Sequence, residues 1–225
     1  MPTVTAIIPA FNEATRIGSV LDAIRAAGLV QEIIVVDDGS ADDTAAVAAA
    51  AGVRVVRLPE NHGKGTALRA GAVAAAGDIL LFLDADLQGL TPAQVDSLAA
   101  PVCSGAADMV IGVFRGGRTA TDLAQVISPN ISGQRCLPRD FFLGAPLIDG
   151  SRSGVEIALT IHARACKLAI AVVPLAGATH VMKEEKMGFW RGAVARGRMY
   201  GDILITLARY YLLNKVLRRA PVGTE

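Results

Sequence analysis

Carboxylates gather at three points of this 225-residue chain: Glu13 in the run Pro9-Ala10-Phe11-Asn12-Glu13, Asp37-Asp38 ahead of Gly39-Ser40, and Asp84-Ala85-Asp86. Each group follows a short apolar run. Clustered carboxylates repel one another unless a cation or a donor-rich ligand stands among them. Mg2+ or Mn2+ meets that need, binding through one or two carboxylates plus substrate phosphates and keeping several waters. Asp84-x-Asp86 suits such an ion, with Asp84 turned to a nucleoside and Asp86 to the metal. A metal-bridged diphosphate is the better leaving group, because the ion stabilises charge on the departing oxygen. Any one of these acidic turns could be a turn and nothing more, and Asp42 and Asp43 read as helix caps. Three of them after successive strands point to a site.

Asn61-His62-Gly63-Lys64-Gly65 adds a cation. Its glycines let backbone approach a ligand, and Lys64 stands at the mouth of the next helical stretch, where anions are favoured. The GxxxxGK[ST] spacing is absent, and no G-x-G-x-x-G follows the first strand, so neither a Walker A loop nor a dinucleotide fingerprint is read. His62 and His162 read as packed or exposed residues.

The elements that must position these groups alternate. Residues 4–8, 32–36, 53–58 and 79–83 read as strands, and the Ala-rich stretches 15–27, 43–51 and 65–76 as helices, bounded by Gly28, Ser40 and Gly52. Near-continuous apolar strands separated by helices predict a mostly parallel sheet covered on both faces, with ligands outside the strands' carboxyl ends. Beyond residue 104 the spacing predicts strands at 109–114 and 170–174, a helix at 154–167, and a Gly/Arg loop at 115–118 whose Arg115 and Arg118 could cover a diphosphate. An amphipathic helical pattern fills 188–219. One domain over 1–182 with a helical extension over 183–225 is expected.

Formal net charge is +1, which gives no reason to expect a nucleic-acid partner. Residues 181–225 carry nine Lys and Arg against four Asp and Glu, so the extension is the basic part. It either packs on the domain or a second subunit, or lies at an anionic lipid surface. Cys103, Cys136 and Cys166 form no CxxC pair, so no zinc site or disulfide framework is indicated. No leader pattern opens the chain, and the apolar runs are far short of a membrane span. The cytoplasm is the expected location, with the inner membrane face as the alternative.

Ile7-Ile8-Pro9-Ala10-Phe11-Asn12-Glu13, Ile34 through Thr44, Gly63-Lys64-Gly65 and Asp84-Ala85-Asp86 together resemble family 2 glycosyltransferases of the GT-A (Rossmann-like) α/β fold. By that resemblance Pro9, Ala10, Phe11, Glu13, Asp37, Asp38, Gly39, Lys64, Asp84 and Ala85 line a nucleotide-sugar pocket. Asp86 holds Mg2+ or Mn2+. Gly154-Val155-Glu156-Ile157 and Thr179-His180 are similar to glucosyl-3-phosphoglycerate synthases and to dolichyl- or polyprenyl-phosphate sugar transferases. The likeness implies that Glu156 lies at the acceptor, that His180 completes the metal shell, and that Gly133, Gln134 and Arg135, after Ser132, form the acceptor side.

On that basis Lys64, Asp86 and Glu156 form the catalytic set. The expected reaction moves a hexose, glucose from UDP-glucose by preference, to a phosphorylated acceptor such as 3-phosphoglycerate. A polyprenyl-phosphate acceptor with UDP-glucose or GDP-mannose is one alternative, and a nucleotide-sugar sensor without turnover is another. Trp190-Arg191 lacks the preceding glutamine of the QxxRW motif, which argues against processive polysaccharide synthesis. Arg135 could instead pair with Asp140 or another acid.

Overall fold

A computed structural model of the protein describes residues 2–115, 132–146 and 154–180. The expected domain boundary at 182/183, the helical pattern over 188–219 and Arg118 lie outside these residues. The elements are β1 (Val4–Ala10), α1 (Ile17–Arg25), β2 (Glu32–Asp37), α2 (Thr44–Ala50), β3 (Arg54–Arg57), α3 (Lys64–Ala74), β4 (Ile79–Phe82), β5 (Leu87–Gln88), α4 (Pro92–Cys103), β6 (Met109–Arg115), β7 (Arg135–Pro138), α5 (Arg139–Gly144), α6 (Val155–Ala165), β8 (Ile170–Ala176) and β9 (Thr179–His180).

Seven strands form one sheet in the order β3-β2-β1-β4-β7-β6-β8, and β5 pairs with β9 in a small second sheet. The strands of the large sheet run parallel except β7, which is antiparallel to β4 and β6. The order reverses between β1 and β4, with β2 and β3 on the other side of β1, which places the carboxyl rim of these strands at a crevice.

Side chains on a strand alternate between faces, so a strand covered on both sides is apolar at every position. β1 does this except at Thr5, whose hydroxyl donates to Glu32 Oε2 at 2.7 Å: Val4, Ala6, Ile8 and Ala10 enter a core with α1 and α4, while Ile7 enters the opposite core with α3, α5 and α6. Phe142 of α5 meets Phe82 of β4 edge-on at 4.7 Å in that second core. The helices follow from their ends. Thr91 caps α4 in a capping box with Gln94, and Pro92 begins the helix, where a missing N–H costs nothing. Between the two expected caps of α2, Asp42 does the work: its carboxylate accepts from the Thr44 and Ala14 amides at 3.0 and 3.2 Å. Asp43 holds the N-cap position without a side-chain bond.

Candidate active site

The rim after β2 turns inward. Asp37 is fully buried; its Oδ1 accepts from the Ser40 amide at 3.0 Å, and Arg57 Nε lies 3.2 Å from Oδ2. Asp38 accepts from the His62 and Gly63 amides at 2.9 and 2.8 Å. It therefore shapes the loop that delivers Lys64 to the first turn of α3. Gly39 takes φ +72°, and a Cβ there would stand 2.5 Å from the Glu60 carbonyl carbon, so only glycine fits. Beside it, Gly39, Ser40, Arg57, Leu58 and Pro59 line an open cavity of about 330 Å³.

The loop after β1 is stitched to this rim. Asn12 donates its amide to Ser40 Oγ at 2.9 Å, Glu13 donates to Thr44 Oγ1 at 2.8 Å, and Ala41 donates to Asn12 Oδ1 at 2.9 Å. Glu13 turns to Arg16 at 3.0 Å, while Phe11 stays 44% exposed at the rim. Pro9 and Ala10 are the last residues of β1, with Ala10 buried.

Lys64 is the hub. Its Nζ lies 2.6 Å from Asp84 Oδ1 and 2.7 Å from Glu156 Oε1, joining α3, the end of β4 and the first turn of α6. Burial disfavours the ammonium, but the two carboxylates outweigh it and hold the Lys64 pKa well above its ordinary value. Burial would likewise raise the Asp84 carboxyl, yet Lys64, the Gln134 amide and the His180 ring together hold it below the usual carboxylate range. Gly133 presses on this pair: a Cβ there would stand 2.5 Å from Lys64 Nζ and 2.7 Å from Asp84 Oδ2.

His180 is carried to the same end by the β5–β9 bridge, which pairs Leu87 with His180 immediately after the Asp84-Ala85-Asp86 turn. Its ring sits 5.6 Å from that of Phe114. Asp86 and His180 are both half-buried, and Ala85 between the acids is buried. Among the described residues no group of three or more His, Cys, Asp and Glu side chains forms a ready-made metal cage. A carboxylate and an imidazole still fit Mn2+ or Mg2+, because such ions leave most positions to phosphate oxygens and water.

The acceptor-side expectations land differently. Arg135 is 1% exposed: its Nε donates to the Ser132 carbonyl at 2.9 Å and its Nη1 to Thr160 Oγ1 at 2.8 Å. Burial lowers its pKa to about 10, opposed by the Glu156 charge. It braces α6 through Thr160, and Asp140 is exposed in the first turn of α5. Thr160, one turn beyond Glu156, passes the brace on to the Glu156 carbonyl at 2.9 Å. Thr160 and Arg57 were not singled out from the sequence. The i, i+4 spacing on α6 signals the first, and the register of Asp37 with Arg57 on β3 marks the second. His62 is exposed beside Glu60, and His162 stacks on Phe141 at 5.1 Å; neither reaches the site.

A mostly parallel sheet with acids on the rim of β1, β2 and β4 is the GT-A architecture of nucleotide-sugar transferases. The chain belongs to glycosyl transferase family 2, whose model matches residues 5–153. It is 34% identical over 197 residues to the glucosyl-3-phosphoglycerate synthase of Mycobacterium tuberculosis (strain CDC 1551 / Oshkosh), covering 71% of this chain and 60% of that protein. The chain thus spans about three fifths of the length of that curated relative. A dolichyl-phosphate β-glucosyltransferase of Drosophila melanogaster is 45% identical over 96 residues, 36% of this chain and 29% of that one. Among solved structures, the M. tuberculosis glucosyl-3-phosphoglycerate synthase in complex with Mn2+, UDP-glucose and phosphoglyceric acid superposes with a TM-score of 0.73 at 33% identity, over 93% of this chain and 79% of that chain.

Proposed function

We propose that the protein is a metal-dependent glucosyltransferase that moves glucose from UDP-glucose to a phosphorylated small acceptor of the 3-phosphoglycerate type. The observation that carries this reading is the Lys64 hub, which ties Asp84 of the DxD turn to Glu156 of the GVE helix. Likeness to the mycobacterial synthase, solved with Mn2+, UDP-glucose and phosphoglyceric acid, supports both substrates.

The open cavity lined by Gly39, Ser40, Arg57, Leu58 and Pro59 would take the nucleoside end of the donor. Asp84 would face the nucleoside, with Pro9, Ala10, Phe11 and Glu13 along the rim. Asp86 and His180 would hold the Mn2+ or Mg2+. That ion supplies Lewis-acid stabilisation of charge on the departing diphosphate. Lys64, already fully protonated, is within the same cluster and would add its charge to that neutralisation. Glu156 would then orient the acceptor hydroxyl, or take its proton as that oxygen bonds the glucose anomeric carbon and UDP departs. With a phosphate acceptor no base is required, so Glu156 would act through position alone.

A polyprenyl-phosphate acceptor is the second reading, supported by the dolichyl-phosphate relative over 36% of the chain. No helix among the described residues is long and apolar enough to cross a membrane. Contact of the basic stretch over 181–225 with a lipid face, or with a second subunit, stays part of this proposal.

A thermal-shift screen of UDP-glucose and GDP-mannose with Mn2+ tests the donor, since a ligand that binds the folded state raises apparent stability. Acceptor trials with 3-phosphoglycerate and a polyprenyl phosphate then separate the two readings. UDP-glucose is expected to raise Tm with Mn2+ present, and glucose to appear on 3-phosphoglycerate. Binding without turnover on any acceptor would identify a sensor and refute the enzyme.

A further inference from the structure

Gln134 belongs by sequence to the acceptor loop, yet its side chain is committed elsewhere. It is 1% exposed, and its Nε2 donates to Asp84 Oδ2 at 2.8 Å. An ionised carboxylate only accepts, so the amide nitrogen must face Asp84 and the amide oxygen must face away. There it meets the Ser132 hydroxyl at 2.8 Å, whose single proton Gln134 Oε1 shares with the Gly112 carbonyl. The Gln134 backbone is fixed as well, because its carbonyl accepts from the Gly112 amide of β6 at 2.8 Å. The amide therefore cannot swing to a ligand without stripping Asp84 of one of its two side-chain donors. Lys64 takes Asp84 Oδ1, Gln134 takes Oδ2, and Gly133 closes the gap between them.

We propose that Gln134 is a positioning residue for the donor: together with Ser132 it locks the Asp84 carboxylate in the one orientation that serves the nucleotide, and it does not contact the acceptor. The proposal rests on the reading above, in which the donor nucleotide meets Asp84. A buried side chain anchored through β6 is suited to this task, since a ligand-facing residue held by water alone would be free to reorient.

The test is UDP binding with Mn2+ by calorimetry, beside the KM for 3-phosphoglycerate, in the unsubstituted protein, Gln134→Met and Gln134→Glu. Met keeps the volume and removes the donor; Glu sets a second carboxylate against Asp84. Loss of one charge-assisted hydrogen bond corresponds to roughly tenfold or more in UDP affinity for Gln134→Met, with a larger loss for Gln134→Glu. The acceptor KM is expected to stay within about twofold, on the same reasoning that the lost bond lies on the donor side. An unchanged UDP affinity with a raised acceptor KM would overturn the proposal, as would a lowered Tm with unchanged UDP affinity. Should Gln134→Met fail to fold, Ser132→Ala loosens the same amide and is expected to cost about two- to fivefold in UDP affinity; no loss there would equally overturn it. Absence of UDP binding by the unsubstituted protein would refute the proposed function itself, and this inference with it.

Discussion

Taking away Lys64 would leave Asp84 and Glu156 facing one cluster without a cation, and the two carboxylates would repel. The three side chains are between 14% and 28% exposed, so the cost falls between that of surface and buried pairs. Lys64→Met is expected to lower kcat/KM for UDP-glucose by roughly a hundredfold or more, the scale of one lost electrostatic group in a preorganised site. The pH signs are opposite for the two ends of the pair. The raised Lys64 contributes fully below its unfolded value of about 10.4 and is lost only as pH rises through a still higher folded value. The depressed Asp84 contributes above about 3.9 and is lost as pH falls through its lower folded value. In Lys64→Met burial acts on Asp84 without the opposing ammonium, so the stability difference from the unsubstituted protein, read from urea melts, should widen as pH rises through the carboxylate range and shrink as pH falls. Gly133→Ala places a methyl against Lys64 Nζ and Asp84, whose chain ends must then shift. Activity should drop with little change in Tm, and an equal drop of both would contradict the packing described.

At the scale of elements, the alternating first half was legible because each strand has an apolar, β-branched or leucine-rich centre and the helical stretches between them are bounded by glycine or capping residues, so β1 to β4 and α1 to α3 fall within a few residues of expectation. What escaped were elements whose signals are short or mixed. α4 had a readable start in Thr91-Pro92-Ala93-Gln94, but Pro101 inside it obscures the helical pattern. β7 opens on Arg135 and closes on Pro138, and its antiparallel insertion between β4 and β6 has no local signature. β5 and β9 are two residues each, too short for any periodicity, although they bring His180 beside the DxD turn. The site followed the same division. Acids after strands were visible, whereas the inward turn of Asp38, Gln134 and Arg135 depends on contacts far apart in sequence. One element-level consequence is local to α2. Asp42→Ala removes the carboxylate that holds the Thr44 and Ala14 amides, and should cost about 1 kcal/mol in chemical denaturation. Because the Asp42 pKa is lowered by these hydrogen bonds against slight burial, that loss should shrink as pH falls below the carboxylate range.

For the molecule as a whole, the sheet gathers side chains from distant elements at one rim. β1, β2 and β4 bring their acids to one rim; the segment leading into β7 brings Gly133 and Gln134 against Asp84, the first turn of α6 brings Glu156, and Lys64 joins Asp84 to Glu156. Metal-dependent transfer is proposed to take place at the Asp84-Ala85-Asp86 turn. Transfer of labelled glucose from UDP-glucose to 3-phosphoglycerate should be followed with Mn2+, with a chelator, and in Asp86→Ala with Mn2+. Product is expected in the first case and a fall to roughly a hundredth or less in the other two, the scale expected when a catalytic ion or its ligand is removed. Transfer that persists undiminished in the chelator or in Asp86→Ala would contradict metal-dependent transfer at this turn.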